Sequence, residues 1–262
     1  MEILARQILK GDVRAAAKLL TLVERGEPQA RKIVKALHPH TGRTHVVGIT
    51  GPTGSGKSTL IDGLIGFQRK KGKRVGVLAV DPSSPLTGGA ILGDRIRMRS
   101  HLTDPGVFIR SLASRGTHGG LPLLRISHAA QILDAMGLDT IFVETLGIGQ
   151  DQVAVRSVAH TVVVLVTPGM GDAVQSLKAG FLEIADLYVV NKADLPGAQA
   201  MVKQLMEVAQ ERPVLAVSAL RKEGLNGLSQ KIADHQMRLE TAQGLRLRRK
   251  GSSVKIMGGR PS

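Results

Sequence analysis

The sequence predicts an α/β fold in which a mostly parallel β-sheet carries helices on both faces. Seven short runs rich in Val, Ile and Leu alternate with segments of helical periodicity, which is typical of parallel strands joined by crossover helices. The runs are largely apolar, as expected of strands buried on both faces. The predicted strands are Val46–Thr50, Arg74–Val80, Val107–Leu112, Thr140–Thr145, Thr161–Val166, Leu187–Asn191 and Val214–Ser218.

Helices are expected before the first strand. Apolar residues recur at helical spacing over Val13–Val23, where Asp12 can cap the amino end of a helix and Gly26 can end it. Pro28 suits the first turn of a further helix. The chain therefore divides into an N-terminal helical extension, an α/β domain and a basic tail, with expected bounds 1–44, 45–240 and 241–262.

Composition excludes several classes of protein. The chain has 262 residues, of which only 2% are aromatic, and this argues against modules that stack nucleic-acid bases on aromatic rings. Cysteine is absent, so disulfides, zinc ribbons and iron–sulfur sites are excluded. The amino terminus lacks the apolar region of a signal peptide. No apolar run approaches the roughly 20 residues of a membrane helix, so we expect a cytoplasmic protein with no membrane partner.

The net charge of +15 is partly concentrated at the end of the chain. Gly244–Ser262 contains six basic residues and no acid, which accounts for +6 of the +15. Such a tail can bind nucleic acid or an anionic membrane. Its composition is more typical of a solvated, disordered end, which is the interpretation we favour, and nucleic acid is therefore not the expected partner.

A phosphate-binding loop follows the first predicted strand and precedes a helical stretch. The pattern G-x-x-x-x-G-K-[ST] is complete, and the flanking strand and helix are the context that supports it. Glycine amides can wrap around phosphate oxygens, the lysine can reach the β- and γ-phosphates, and the serine hydroxyl can bind Mg²⁺. The expected nucleotide-binding residues are Gly51, Pro52, Thr53, Gly54, Ser55, Gly56, Lys57, Ser58 and Thr59.

A short motif predicts that the bound base is guanine rather than adenine. Asn191, Lys192 and Asp194 form an N-K-x-D pattern at the end of a predicted strand. A carboxylate at Asp194 can accept from N1–H and the 2-amino group of guanine, and adenine offers neither donor there. After the next strand, Ser218, Ala219 and Leu220 resemble the S-A-x loop whose amides meet the guanine O6. The sequence therefore predicts a P-loop GTPase domain that binds GTP and GDP with Mg²⁺.

Acidic residues near the expected γ-phosphate are candidates for magnesium binding and catalysis. Glu144 opens the segment E-T-L-G, where many GTPases have D-x-x-G, and its glycine, Gly147, would meet the γ-phosphate. Asp94 follows a stretch rich in Pro and Gly that suits a switch loop, and Asp81 follows a strand. Simple loop capping is the alternative for Asp81 and Asp94. The candidate metal ligands are Ser58, Asp81, Asp94 and Glu144.

The position after Gly147 carries no glutamine. Ras-like enzymes place a water-orienting Gln there, whereas this chain has Ile148. Intrinsic hydrolysis should therefore be slow, or another residue must position the attacking water, and Asp94 is the candidate for that task.

Several longer segments carry a family resemblance. They are Gly48–Thr59, Val80–Pro85, Thr87–Met98, Val143–Gln150, Pro168–Gly180 and Val190–Asp194. The most specific blocks within them are V-D-P-S-S-P and G-D-R-I-R-M. With these segments the chain resembles, over roughly residues 12–240, the MeaB/ArgK-type GTPases, the G-protein chaperones of adenosylcobalamin-dependent acyl-CoA mutases such as methylmalonyl-CoA mutase.

The resemblance implies a function beyond nucleotide hydrolysis. It implies GTP turnover coupled to the loading and rescue of a mutase, with cobalamin held by the partner and not by this chain. It also places Lys178 in a loop that responds to nucleotide and partner, which adds Lys178 to the catalytic candidates Lys57, Asp94 and Glu144. The family commonly dimerises through a C-terminal helical arm. Because this chain ends soon after Asp234 with a basic tail, we expect the arm to be short or missing, which leaves the homodimer that the resemblance implies an open alternative.

Two other functions remain as alternatives. A nickel-delivery GTPase would need Cys or clustered His ligands; the chain has no Cys, and His38, His40 and His45 are its one loose His group. A transport-associated ATPase or kinase would need adenine recognition, against which Asp194 argues.

Overall fold

A computed structural model describes residues 2–81, 98–113, 123–145, 151–169 and 181–241. The predicted site residues Asp94, Gly147 and Lys178, the Asp81 side chain and the tail after Thr241 lie outside these described residues.

Parallel strands form one sheet, and all seven predicted runs are strands in it. The order is β3-β2-β4-β1-β5-β6-β7, and every pairing between these strands is parallel. The bounds are β1 His45–Thr50, β2 Val75–Asp81, β3 Val107–Ala113, β4 Thr140–Glu144, β5 Thr161–Val166, β6 Leu187–Asn191 and β7 Val214–Val217. The α/β prediction is therefore confirmed.

Strand ends differ from the predicted ends by one residue in places. β1 begins at His45 because the His45 amide already donates to the Asp139 carbonyl at 3.0 Å. β7 ends at Val217 because Ser218 turns away and exchanges backbone hydrogen bonds with Glu223, each 3.1 Å long. Both differences come from contacts with residues that are distant in sequence or across a turn, which a local pattern does not report.

Helices connect the strands and precede them. Among the described residues the α-helices are α1 Glu2–Leu9, α2 Val13–Arg25, α3 Pro28–Leu37, α4 Lys57–Lys70, α5 Leu123–Ala135, α6 Asp151–Val158, α7 Phe181–Ile184, α8 Ala198–Val208 and α9 Leu225–Thr241. The expected caps of α2 are present: the Asp12 carboxylate accepts from the amides of Arg14 and Ala15, and Gly26 ends the helix in the left-handed region at φ 73°.

Apolar packing occupies both faces of the sheet. Successive strand residues point to opposite faces, so Val46 belongs to one buried cluster and Val47 to the other. The first cluster joins the sheet to α1–α3 and α5–α8. The second joins it to α4 and α9. The sequence prediction of helices on both faces is confirmed, and the N-terminal helices share their face with four of the later ones.

A partly buried ion pair connects α2 to the edge strand β3. The Glu24 carboxylate pairs with Arg110 and also accepts from the Ala113 amide at 3.3 Å. Arg110 in turn donates to the Thr21 hydroxyl at 3.2 Å. Removing Arg110 would leave the largely buried Glu24 carboxylate without its charge partner, so the contact favours this position of α2.

Candidate functional site

The phosphate loop lies at the carboxyl edge of the sheet, between β1 and the first turn of α4. Its glycines adopt backbone conformations that favour glycine: φ is 147° at Gly51 and 89° at Gly56. A Cβ atom at Gly51 would collide with the Leu165 carbonyl oxygen, and one at Gly56 would collide with the Asn191 side chain. The spacing of glycines in the motif therefore has a steric reason in the neighbouring strands.

Polar groups of the loop are buried around its concave side. The Lys57 ammonium donates to the carbonyl oxygens of Gly51 and Pro52, at 3.0 and 3.1 Å. The Ser55 hydroxyl is buried, and it has no hydrogen-bond partner among the described residues. A buried hydroxyl of that kind costs free energy until it is paired, and a phosphate oxygen is a suitable acceptor for it.

The side chains of Ser58, in the first turn of α4, and Glu144, the last residue of β4, are in contact. The Ser58 hydroxyl donates to Glu144 Oε1 at 2.8 Å, and both side chains are buried. Glu144 is in register with Ile49 of β1, the strand that leads into the phosphate loop. Beside them the Thr145 hydroxyl donates to the Thr50 hydroxyl at 2.9 Å.

This donor set fits Mg²⁺ held together with a nucleotide. Mg²⁺ takes oxygen ligands and is usually bound through one or two carboxylates plus substrate phosphates. Ser58 and Glu144 offer one hydroxyl and one carboxylate at the foot of the phosphate loop. Within the described ranges no cluster of three or more His, Cys, Asp or Glu residues could hold a metal by itself. The protein would therefore rely on phosphate oxygens to complete the coordination.

Asn191 connects the base-binding loops to the phosphate loop. Its Nδ2 donates to the Ser55 carbonyl at 2.7 Å, and its Oδ1 accepts from the Ala219 amide at 3.1 Å. The side chain is buried at the end of β6. One amide group thus holds together three loops that follow β1, β6 and β7.

Asp194 is prepared as a hydrogen-bond acceptor. The Ser218 hydroxyl donates to its Oδ1 at 2.6 Å, and this bond, with the nearby Arg221, holds the Asp194 pKa below its ordinary value. Arg221 Nε lies 3.7 Å from Asp194 Oδ2. The carboxylate is therefore ionised at neutral pH and can accept from two donors of a bound base.

The structure brings most of the predicted residues together. The phosphate loop, Glu144, Asn191, Asp194, Ser218 and Ala219 all lie at the carboxyl edge of the sheet, within one network of contacts. Lys192 is exposed with φ 57°, and the Leu220 side chain is 81% exposed, so any contact of Leu220 with a nucleotide must come from its backbone. Arg221, which lies beside the Asp194 carboxylate, was not among the predicted site residues, although it directly follows the S-A-L segment in the sequence.

The fold and this site define a class of protein. A phosphate loop on a parallel sheet, joined through one asparagine to an N-K-x-D loop, is the arrangement of a P-loop GTPase. Residues 16–258 match the family model described as Methylmalonyl Co-A mutase-associated GTPase MeaB, so the chain belongs to that family and is a GTP-hydrolysing enzyme.

Relatives and solved structures agree with this assignment. A Pyrococcus abyssi protein that is named as a GTPase is 49% identical to this chain over 258 residues. The aligned segment covers 94% of this chain and 79% of the relative. The methylmalonic aciduria type A homolog of Mus musculus, a mitochondrial protein, is 36% identical over 202 residues, 71% of this chain and 48% of the relative. A crystal structure of an LAO/AO transport system kinase superposes with a TM-score of 0.75 at 26% identity, covering 97% of this chain and 80% of that one. Over the described residues, no helix is both long and apolar enough to cross a membrane.

Proposed function

We propose that this GTPase is a cytoplasmic chaperone of an adenosylcobalamin-dependent acyl-CoA mutase such as methylmalonyl-CoA mutase. Membership of the mutase-associated family supports the identity of the partner. The bond from Asn191 to Ser55 supports the mechanism, because it couples the loop that reads the base to the loop that holds the phosphates. Partner binding at either loop can therefore change the conformation of the other loop.

The phosphate loop would bind the β- and γ-phosphates of GTP. Lys57 would exchange its bonds to the Gly51 and Pro52 carbonyls for bonds to phosphate oxygens, at little cost because the ammonium keeps its hydrogen bonds. The helix α4 adds the positive potential of its amino terminus. Ser58 and Glu144 would hold Mg²⁺, which when bound neutralises charge between the β- and γ-phosphates.

The Asn191–Asp194 and Ser218–Leu220 loops would select guanine. The ionised Asp194 would accept from the N1–H and 2-amino groups, while Ser218 keeps it in place. A paired site of this kind rejects an analogue that lacks the donors by roughly 10⁴-fold or more. Lys192 would cover the base plane with its aliphatic stem.

Hydrolysis would be slow until the partner completes the site. Ile148 stands where Ras-like enzymes have a water-orienting glutamine. We assign the positioning of water to Asp94 and the partner-dependent positive charge near the γ-phosphate to Lys178. If the mutase binds the GTP form and the GDP form of this protein with affinities that differ by some factor, thermodynamic linkage applies. Mutase binding must then change the ratio of the GTP and GDP affinities by that same factor, which is typically about 5–150-fold.

GTP turnover with and without a purified methylmalonyl-CoA mutase tests this proposal. Stimulation of turnover and a complex whose affinity differs between GTP and GDP are expected. Lys178→Ala should leave basal turnover nearly unchanged and blunt the stimulation, whereas exposed Lys203→Ala should do neither. Equal turnover with and without the mutase, together with no nucleotide-dependent complex, would remove the chaperone role and leave the GTPase assignment standing.

A further inference from the structure

A second cleft lies at the opposite end of the sheet from the nucleotide site. Its volume is about 640 Å³, within the range of roughly 300–1,000 Å³ that is usual for small-molecule sites. All strands run parallel, and the lining residues Arg74 and Asp139 come directly before β2 and β4, so the cleft is at the amino ends of the strands. Three separate segments form it: the α1–α2 turn, the link from α3 to β1, and the α5–β4 turn with Arg74.

The buried carboxylate of this cleft is fully engaged by the protein. Asp134 is 3% exposed and accepts from the Gly42 amide at 2.7 Å, the Thr44 amide at 3.2 Å and the Thr44 hydroxyl at 2.9 Å. The second carboxylate, Asp139, is exposed and accepts from the Arg74 amide at 2.6 Å. These bonds fix the link before β1 and the start of β2 against the α5–β4 turn.

One guanidinium is held at the wall of the cleft. Arg74 Nη1 donates to the Met136 carbonyl at 3.1 Å and to the Gly137 carbonyl at 3.4 Å. The side chain also lies against Gly11 of the α1–α2 turn, where an added Cβ would be 3.4 Å from Arg74 Nη2. Arg74 is therefore a positioned cation at the junction of the N-terminal helices and the sheet.

Further cationic groups face the same cleft without protein partners. Lys10, His40 and Arg43 are exposed and line it. None of these side chains forms an ion pair or hydrogen bond with another residue in the described part of the chain. With Arg74 included, the cleft is lined by three permanently charged cations and one imidazole, which come from three chain segments. The exposed carboxylate in the lining is that of Asp139.

We propose that this cleft binds a small organic phosphate that carries at least two phosphate groups. Guanidinium groups match phosphate oxygens in bidentate geometry, which suits Arg43, while Arg74, whose Nη1 is bonded to two carbonyls, adds a positioned positive charge. Lys10 adds a point charge for a second phosphate. Leu9, which is 38% exposed at the edge of the cleft, offers an apolar contact for the organic part. A concave site of this size is suited to a small molecule, and less to a partner protein with a flat surface.

Such a ligand would connect the α1–α2 turn to the sheet. Because it would bind only the folded arrangement, it should raise the unfolding temperature, and above its dissociation constant the free energy of unfolding should rise with the logarithm of the ligand concentration. This effect is independent of the proposed mutase partner.

Titration calorimetry on protein saturated with Mg²⁺ and GDP tests the site, because the phosphate loop is then filled. Fructose 1,6-bisphosphate is the probe, and the six-carbon dicarboxylate glucarate is its comparator without phosphate. We expect saturable one-to-one binding of the bisphosphate, weaker binding of glucarate, and a higher unfolding temperature with the bisphosphate. Lys10→Gln with Arg43→Gln should weaken binding by at least about tenfold, since two charge-assisted contacts are lost.

The control double variant, Lys203→Gln with Arg238→Gln, removes the same charge from exposed positions away from the cleft and should change the affinity less than twofold. Absence of saturable binding would overturn the proposal. So would equal affinity for glucarate, or equal weakening in the control, because either result would mean general attraction of anions to a basic protein.

Discussion

Asn191 Nδ2 donates to the Ser55 carbonyl oxygen over 2.7 Å, so a residue at the end of β6 directly shapes the phosphate loop that follows β1. Ser55 and Asn191 are far apart in sequence, and their loops adjoin because β1, β5 and β6 lie side by side. The same side chain accepts from the Ala219 amide. The loops predicted to bind the base and the phosphates therefore share one buried amide group.

Asn191→Asp should weaken GDP and GTP together. The new carboxylate cannot donate to the Ser55 carbonyl and would face it with like charge. The loss of a buried hydrogen bond costs about 1–3 kcal/mol, which is roughly 5- to 150-fold in affinity. Fluorescent GDP titration measures the effect. Asn226→Asp, at an exposed position of α9, is the matched control and should leave affinity unchanged. An Asn191→Asp protein with normal affinity for both nucleotides would show that the link has no role in binding.

Guanine nucleotides should bind at least about a thousandfold more tightly than adenine nucleotides, since Asp194 would pair with donors that adenine lacks. Asp194→Asn should shift preference towards xanthine nucleotides, whose 2-oxo group needs a donor. Competition between GTP, ATP and xanthosine triphosphate in calorimetry reports both effects. Comparable affinities of the native protein for ATP and GTP would contradict the assignment of the base loop.

Intrinsic turnover should be well below the 1–100 s⁻¹ typical of kinases, because Ile148 cannot orient water. Asp94→Ala should lower the hydrolysis rate and leave GDP affinity nearly intact, whereas Lys57→Ala should weaken nucleotide binding itself. Single-turnover GTP hydrolysis and GDP titration separate the two effects. The surface variant Asp234→Ala is the control. If Asp94→Ala hydrolyses GTP at the native rate, another group positions the water.

Mild acid should destabilise the protein through His45. Burial, with the neighbouring His160 and His235, lowers the pKa of His45 from 6.5 to about 3. The folded state keeps this ring neutral while the unfolded chain binds a proton below about pH 6.5. Stability is therefore complete above that pH and falls as the pH decreases towards 3, with a slope of at most about 1.4 kcal/mol per pH unit from this group.

Urea unfolding between pH 7 and 5 measures that slope. His45→Gln can retain a contact with the Thr161 hydroxyl, which lies 2.8 Å from His45 Nε2, and should give a shallower pH dependence than the native protein. His38→Gln changes an exposed histidine and should not alter the slope. Equal slopes for His45→Gln and the native protein would assign the acid sensitivity to other groups.

Local patterns in the sequence were sufficient to predict the strands and the motif residues. The strand Thr161–Val166 was predicted with the bounds that the structure has, because a run of buried, β-branched residues ends at a clear break. The phosphate loop was recognised because close approach of backbone to phosphate requires glycine at fixed spacing. The caps of α2 were likewise predicted from residues adjacent in sequence.

Other features depend on strand order, which periodicity does not encode. The pairing of Glu24 with Arg110 exists because α2 packs over the edge strand β3, and the two residues are far apart in the chain. The basic cleft exists because the α1–α2 turn, the link before β1 and the α5–β4 turn meet at one end of the sheet. By itself the sequence determined the α/β class, the phosphate-loop motif and the guanine-type motif, since each depends on local conformation and residue chemistry. Only the tertiary structure decided which of these groups touch, because contacts between distant segments follow from how the strands are ordered and packed.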